Sequence, residues 1–177
     1  IGGFGRVHKA DWPGFGEVAV KIILMNSDIS SEIANELAAM QLMADDPHFV
    51  RLHHAQMSSL ETVVVVMDYL KGEDGNKFFQ RLSRNGVIVP PKIMAAVTRH
   101  LLLGLKALHT RGLIHTDLKP ANLFISADGQ VKILDLGLVR HLDNPLECGW
   151  KAGTTCYAGP EMADRKLSMN ESSDVWT

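Results

Sequence analysis

Between two apolar runs, Leu113-Ile114 and Leu123-Phe124-Ile125, the sequence places His115-Thr116-Asp117-Leu118-Lys119-Pro120-Ala121-Asn122. An acid, a cation and an amide follow one another at spacings of two and three residues. Thirteen residues after Asn122, Asp135-Leu136-Gly137 closes a further apolar run, Val131-Lys132-Ile133-Leu134. An exposed turn seldom has strand-forming residues on both sides of such groups, and polar groups next to a core are costly unless paired or used. Two aspartates, an asparagine and a lysine supply what metal-assisted phosphate chemistry requires. Hard Mg2+ takes oxygen ligands, a carboxylate accepts a hydroxyl proton, and a lysine neutralises a transferred group.

Two weaker signals lie upstream. Gly2-Gly3-Phe4-Gly5 lets a backbone approach phosphates closely, but the same residues also make an ordinary hairpin turn. Lys21 interrupts an apolar run, Val18-Ala19-Val20-Lys21-Ile22. Either it faces solvent, or it points inward and needs an anionic partner, for which Glu36 is the candidate.

The elements that must position these groups can be read from pattern. Residues 1–24 predict strand, turn and strand, with Asp11–Gly16 turning the chain. Ser30-Ser31 fits a helix cap, and Ile33, Leu37, Met40 and Ala44 repeat at helical spacing until Asp45-Asp46-Pro47. Strands fit 49–54 and 62–68. A helix fits 76–84, and a longer one fits 91–110 with Ile93, Val97, Leu101, Gly104, Leu105 and Leu108 inward. Short strands fit 123–125 and 131–134. Residues 135–161 show little regular pattern, and a stretch of that length without structure of its own is usually functional. The chain is therefore strand-rich to about residue 70 and helix-rich after it.

Composition narrows the class. The 177 residues are 46% hydrophobic and 21% charged, with a net charge of −2. These are globular values, and a non-specific grip on nucleic acid or an anionic membrane is not expected. The apolar run at 63–67 is far too short to span a bilayer. Cys148 and Cys156 make no disulfide framework and have no metal-ligand spacing around them.

Taken together and in this order, the motifs resemble the protein kinase catalytic domain, more closely its serine/threonine branch. Residues 1–7 are similar to the phosphate-covering loop, and Val18-Ala19-Val20-Lys21 to the motif carrying the nucleotide lysine. Met67-Asp68-Tyr69-Leu70 resembles the gatekeeper and hinge. Residues 115–122 resemble the catalytic loop, Asp135-Leu136-Gly137 the magnesium triplet, and 153–161 the end of the activation segment. Ser173-Asp174-Val175-Trp176 resembles the opening of the large lobe's central helix.

The resemblance implies an α+β, two-lobed fold. A small antiparallel-sheet lobe with one helix would span 1–67, a hinge 68–72, and part of a mainly helical large lobe 73–177. It implies ATP and Mg2+ as cofactors and protein serine or threonine hydroxyls as acceptors. Gly2, Gly5, Val7, Ala19, Lys21, Glu36, Met67, Asp68, Leu70 and Phe124 would bind ATP, with Val7, Ala19 and Phe124 sandwiching adenine and Glu36 holding Lys21. Asp117 would be the base, Lys119 would neutralise the transferred group, and Asn122 and Asp135 would hold Mg2+. Thr154, Tyr157 and Glu161 would shape the substrate platform. Met40, Leu52, His115 and Leu136 would form an internal stack anchored by Asp174. Glu73 and Asp74 hint at a preference for basic substrates. An intracellular, cytoplasmic setting is implied, with a regulatory protein partner possible and no nucleic acid or membrane segment.

Departures from the family pattern matter as well. Thr116 stands where most members carry an arginine that binds a phosphate on the activation segment. Between Leu136 and Gly153 there is no Ser, Thr or Tyr. The expectation is a kinase not switched on by phosphorylation in that stretch, either constitutively ordered or controlled by a partner or flanking segment. Leu136 for Phe and Gly159 for Ala read as mild changes. The large lobe of the family continues beyond Asp174 and supplies an arginine for Glu161, so the 177-residue piece alone is expected to be poorly stable and nearly inactive. A nucleotide-binding pseudokinase scaffold is the alternative, set back by the presence of Lys21, Glu36, Asp117, Asn122 and Asp135. A small-molecule kinase is disfavoured by 153–161. A dinucleotide-binding enzyme is disfavoured because the glycines lead into a strand.

Overall fold

A computed structural model describes residues 5–24, 30–59, 61–143, 154–163 and 169–177. The first part is a four-stranded antiparallel sheet of β1 (Gly5–Trp12), β2 (Gly16–Leu24), β3 (Leu52–Ser59) and β4 (Thr62–Asp68), in the order β1-β2-β4-β3. The two strands richest in β-branched residues, β2 and β4, take the centre, where both edges of each must pair. They run in register from Val18↔Asp68 to Leu24↔Thr62. The helix α1 (Ser30–Leu42) sets Ile33 against Ile23, Val63 and Val65. Its buried stripe runs Ile33, Glu36, Ala39, Met40 and on to Met43 just past the helix end, so an acid occupies an inward helical position.

The second part begins with β5 (Gly72–Asp74), which pairs with β7 (Leu123–Ser126), and β7 with β8 (Val131–Ile133). The helix α2 (Gly75–Arg84) is capped by Asp74, whose carboxylate accepts the Lys77 amide at 2.9 Å. The long α3 (Pro91–Thr110) opens on a proline, which loses no helical hydrogen bond at that position. Val97, Leu105 and Leu108 face β8 and the core, and Gly104 lets α3 close on it, since a Cβ there would lie 2.7 Å from Ile133 Cδ1. A short pair, β6 (Leu113–Ile114) with β9 (Arg140–His141), and the helices α4 (Pro160–Ala163) and α5 (Glu171–Trp176) complete the described chain. Among the described residues no helix is long and apolar enough to cross a membrane.

One core joins the two parts. Ala39, Met40, Met43 and Phe49 pack in the same cluster as Leu105, Leu108, Leu118, Ile133 and Leu136. Two expectations are corrected here. The strand expected over 49–54 begins only at Leu52, because Phe49 instead forms a parallel bridge with Ile133, and Lys132 Nζ donates to the carbonyls of Pro47 and Phe49 at 2.8 and 2.9 Å. Ile93, expected inward, is 39% exposed, since the buried stripe of α3 starts at Val97.

Gly75 is the tightest point between α2 and the 115–122 loop: a Cβ there would stand 2.5 Å from the Pro120 carbonyl oxygen, a backbone atom with no room to retreat. Gly75→Ala should therefore lower stability by about 1–3 kcal/mol in the parent protein, as overpacking does. Urea unfolding checks this, and an unchanged midpoint would contradict it.

Candidate active site

The loop 115–122 leaves β6 and enters β7, and the segment 134–139 leaves β8 and enters β9. Because β6 pairs with β9 and β7 with β8, the two segments are held side by side. The Leu134 amide donates to the Asn122 carbonyl at 2.7 Å and ties them again. From α5, the Asp174 carboxylate accepts the backbone amides of His115 and Thr116, both at 2.8 Å, and His109 Nε2 at 2.8 Å. His115 is fully buried. The Asp117 amide donates to His115 Nδ1 at 3.3 Å, which leaves the ring proton on Nε2, 3.2 Å from the Leu134 carbonyl. Met40, Leu52 and Leu136 of the expected stack lie in or against the same core.

Asp117 follows with both carboxylate oxygens engaged. Oδ1 accepts the Thr154 hydroxyl at 2.7 Å, and Oδ2 accepts Lys119 Nζ at 2.6 Å and Asn122 Nδ2 at 3.1 Å. Lys119 Nζ also donates to Thr154 Oγ1 at 2.7 Å, so acid, cation and hydroxyl close a triangle. Asn122 Nδ2 gives a second bond, to the Asp117 carbonyl at 2.8 Å, which orients its amide. An acid beside a cation in a nearly buried loop suits acceptance of a hydroxyl proton next to a developing negative charge.

Asn122 Oδ1 accepts no hydrogen bond among the described residues. The Asp135 carboxylate is exposed and, among the described residues, receives only the Gly137 amide, at a long 3.4 Å. Two oxygens on neighbouring segments suit Mg2+, which keeps waters and takes phosphate oxygens for its remaining positions. No group of three or more His, Cys, Asp or Glu able to hold a metal by itself occurs among the described residues. Asp135 and Thr116 both have positive φ, 59° and 68°. Such backbone costs about 1–3 kcal/mol per residue and persists only where the surroundings impose it.

Across the core, Lys21 Nζ donates to Glu36 Oε1 at 2.6 Å, with both side chains largely buried. This resolves the two readings of Lys21 in favour of the inward one. Val7 lies opposite Lys21 in the β1–β2 register and is 48% exposed; Ala19 lies opposite Met67 and is buried. Gly5 begins β1, and Gly2 falls outside the described residues. Met67 packs against the core and Leu70 is half-buried. The Asp68 carboxylate is taken by His53 Nε2 at 2.8 Å, and its amide donates to the Arg51 carbonyl at 3.1 Å. Phe124 is half-buried in β7, opposite Lys132 and Asp74.

Thr154 reaches the Asp117 triangle itself, while Tyr157 is half-buried in the turn that follows. Glu161 Oε1 is buried without a partner among the described residues. A Cβ at Gly159 would meet the Glu161 carboxylate, the far end of a flexible side chain. Cys156 is exposed and unpaired; Cys148 lies outside the described residues. Glu73 is bound by Arg81 Nη2 at 2.6 Å and Asp74 by Lys77 Nζ at 3.1 Å. Burial alone would raise the Asp74 carboxyl, but the Lys77 amide and ammonium outweigh it and hold it below the usual aspartate range. Both acids are thus paired with exposed cations of α2. Sequence reasoning missed His109, His53, Lys132 and the Thr116 hydroxyl, since each acts on a backbone group or a distant acid that no spacing announces.

A family model described as "Protein kinase domain" matches residues 1–177. The chain is 31% identical to mitogen-activated protein kinase kinase 7 of Arabidopsis thaliana, over 99% of this chain and 57% of the relative. It is 30% identical to CBL-interacting protein kinase 17 of Oryza sativa subsp. japonica, over 99% and 39%. It is 31% identical to serine/threonine-protein kinase 17A of Oryctolagus cuniculus, over 85% and 38%. The chain thus spans well under two thirds of the length of these relatives.

The Lys21–Glu36 pair makes an asymmetric prediction. Lys21→Met should cost about 1.5–3 kcal/mol, the value of a hydrogen bond to a charged group, because it leaves Glu36 buried and unpaired. Adding Glu36→Leu should restore most of that loss. Thermal unfolding of the parent protein checks both; a double variant no more stable than the single would contradict the pairing.

Proposed function

The chain belongs to the protein kinase family, and from that premise we propose that its parent protein transfers the γ-phosphoryl group of Mg2+-ATP to serine or threonine hydroxyls of protein substrates. The observation that carries this reading is the closed arrangement of Asp117, Lys119, Thr154 and Asn122. On this reading residues 1–67, 68–72 and 73–177 are small lobe, hinge and part of the large lobe. Lys21, set by Glu36, takes the nucleotide's α- and β-phosphates, and Gly2, Gly5, Val7, Ala19, Met67, Asp68, Leu70 and Phe124 enclose the rest of it. Asn122 and Asp135 would hold Mg2+, which would supply charge neutralisation at the phosphates. Asp117 orients the acceptor hydroxyl and takes its proton, and Lys119 lies beside the transferring group. Nearly all of the catalysis is then positioning and electrostatics. Tyr157 and Glu161 support the acceptor peptide.

The reading includes a serine/threonine specificity, which the Lys119-Pro120 pair and Thr154 favour and which the name of the Oryctolagus cuniculus relative carries. It includes an intracellular setting and a regulatory protein partner; the rice relative is named for such an interaction. It also includes activity without phosphorylation between residues 138 and 152, because that stretch has no hydroxyl side chain.

In the parent protein, Asp117→Asn should lower transfer from Mg2+-ATP to a mixed Ser/Thr peptide library by about 10²–10⁴-fold, the span of a general base. Wild-type turnover in the variant would overturn the assignment. Failure of the wild type to transfer while it binds ATP would favour a nucleotide-binding scaffold. Phosphatase treatment should leave activity unchanged; a large loss of activity would refute the regulatory part.

A further inference from the structure

We infer that Thr116 is a positioning residue, whose side-chain hydroxyl holds the turn carrying Asp135 in register with Asp117. Its catalytic consequence rests on the kinase reading above; its structural content does not.

Thr116 is buried, and its φ is 68°. A β-branched residue is an outlier in that region, where glycine or asparagine fits with less strain. Something specific to threonine must offset the strain. Its amide is fixed by Asp174 Oδ1, and from that frame its Oγ1 donates to the Leu138 carbonyl at 2.8 Å. Leu138 lies three residues past Asp135, the other strained residue, and the Val139 amide closes the intervening turn on the Leu136 carbonyl at 3.2 Å. A single side-chain bond therefore links two strained backbones, one bearing Asp117 and the other bearing Asp135.

The neighbouring ties point the same way. Leu142 N donates to the Gly112 carbonyl at 2.8 Å, and Leu113 and Ile114 pair with His141 and Arg140. Each of these bonds joins neutral groups of this chain. Thr116 lies at the closed end of that ladder, where the turn meets the loop. It fastens the turn without any added charge, which is the ordering that a phosphate-independent site requires.

The test uses the parent protein with Thr116→Val, Thr116→Ser and Thr116→Gly. Valine keeps the branched shape and removes the hydroxyl, serine keeps the hydroxyl and removes the methyl, and glycine removes both the strain and the hydroxyl. Amide hydrogen exchange is read at Val139 and Leu142. Valine and glycine should each speed exchange there by about tenfold, the scale of one net hydrogen bond, while serine stays near wild type and the α3 amides do not change. In the transfer assay, valine and glycine should lower kcat and raise the Mg2+ concentration for half-maximal rate, with serine rescuing both. If valine fails to fold, the glycine and serine variants decide alone, since glycine adopts φ 68° without strain. Wild-type exchange in the glycine or valine variant, or a serine variant as impaired as valine, would overturn the inference. If the wild type transfers no phosphoryl group, the exchange result still decides the positioning role, so the two failures are distinguishable.

Discussion

The carboxylate of Asp174 is the constraint on which the site depends. Its side chain has no solvent exposure, and a buried carboxylate persists only if hydrogen-bond donors replace water. Three donors do so: the amides of His115 and Thr116, and His109 Nε2. Satisfying this one acid fixes two successive peptide planes at the entrance of the 115–122 loop. Thr116 is forced into left-handed backbone, and Asp117 leaves in the direction that meets Lys119, Thr154 and Asn122. The acid that organises the loop lies more than fifty residues later in the chain, on α5, whose own start is fixed by the Asn170–Ser173 capping box.

A second constraint joins this loop to the Lys21–Glu36 pair. The stretch after α1 does not return directly to the sheet but lies along β8, through the Phe49–Ile133 bridge, the Ile133 amide on the His48 carbonyl, and the Lys132 ammonium on two further carbonyls. α1 carries Glu36, and β8 leads within two residues to Asp135. The ion pair that sets Lys21 and the acid proposed for Mg2+ are therefore mounted on one packed block. This explains why Met40 and Met43 share a core with Leu136, although they belong to different parts of the chain.

Much of this was legible in the sequence, for reasons that differ by element. Strands β2 and β4 are central and β-branched, so composition alone marks them. The bounds of α3 follow from Pro91 and an apolar repeat that ends at a glycine turn. The 115–122 loop stands out because charged groups rarely sit between two strand-forming runs. The family pattern even pointed to Glu36 and Asp174. Failures occurred where a backbone group or a distant acid is the partner. Phe49 looks like strand in an apolar run, yet its pairing belongs to β8. Ile93 fits the helical repeat but precedes the buried stripe. Periodicity reports which face is apolar; it does not report which carbonyl a hydroxyl or ammonium will find.

The most direct test of the account is a double-mutant cycle for phosphoryl transfer by the parent protein, with Asp174→Asn and Asp117→Asn alone and together. If Asp174 acts by aiming Asp117, the Asp174 substitution should lower the rate strongly in the wild-type background and hardly at all once Asp117 is asparagine. Equal losses in both backgrounds would show that Asp174 contributes independently of Asp117, and would contradict the account.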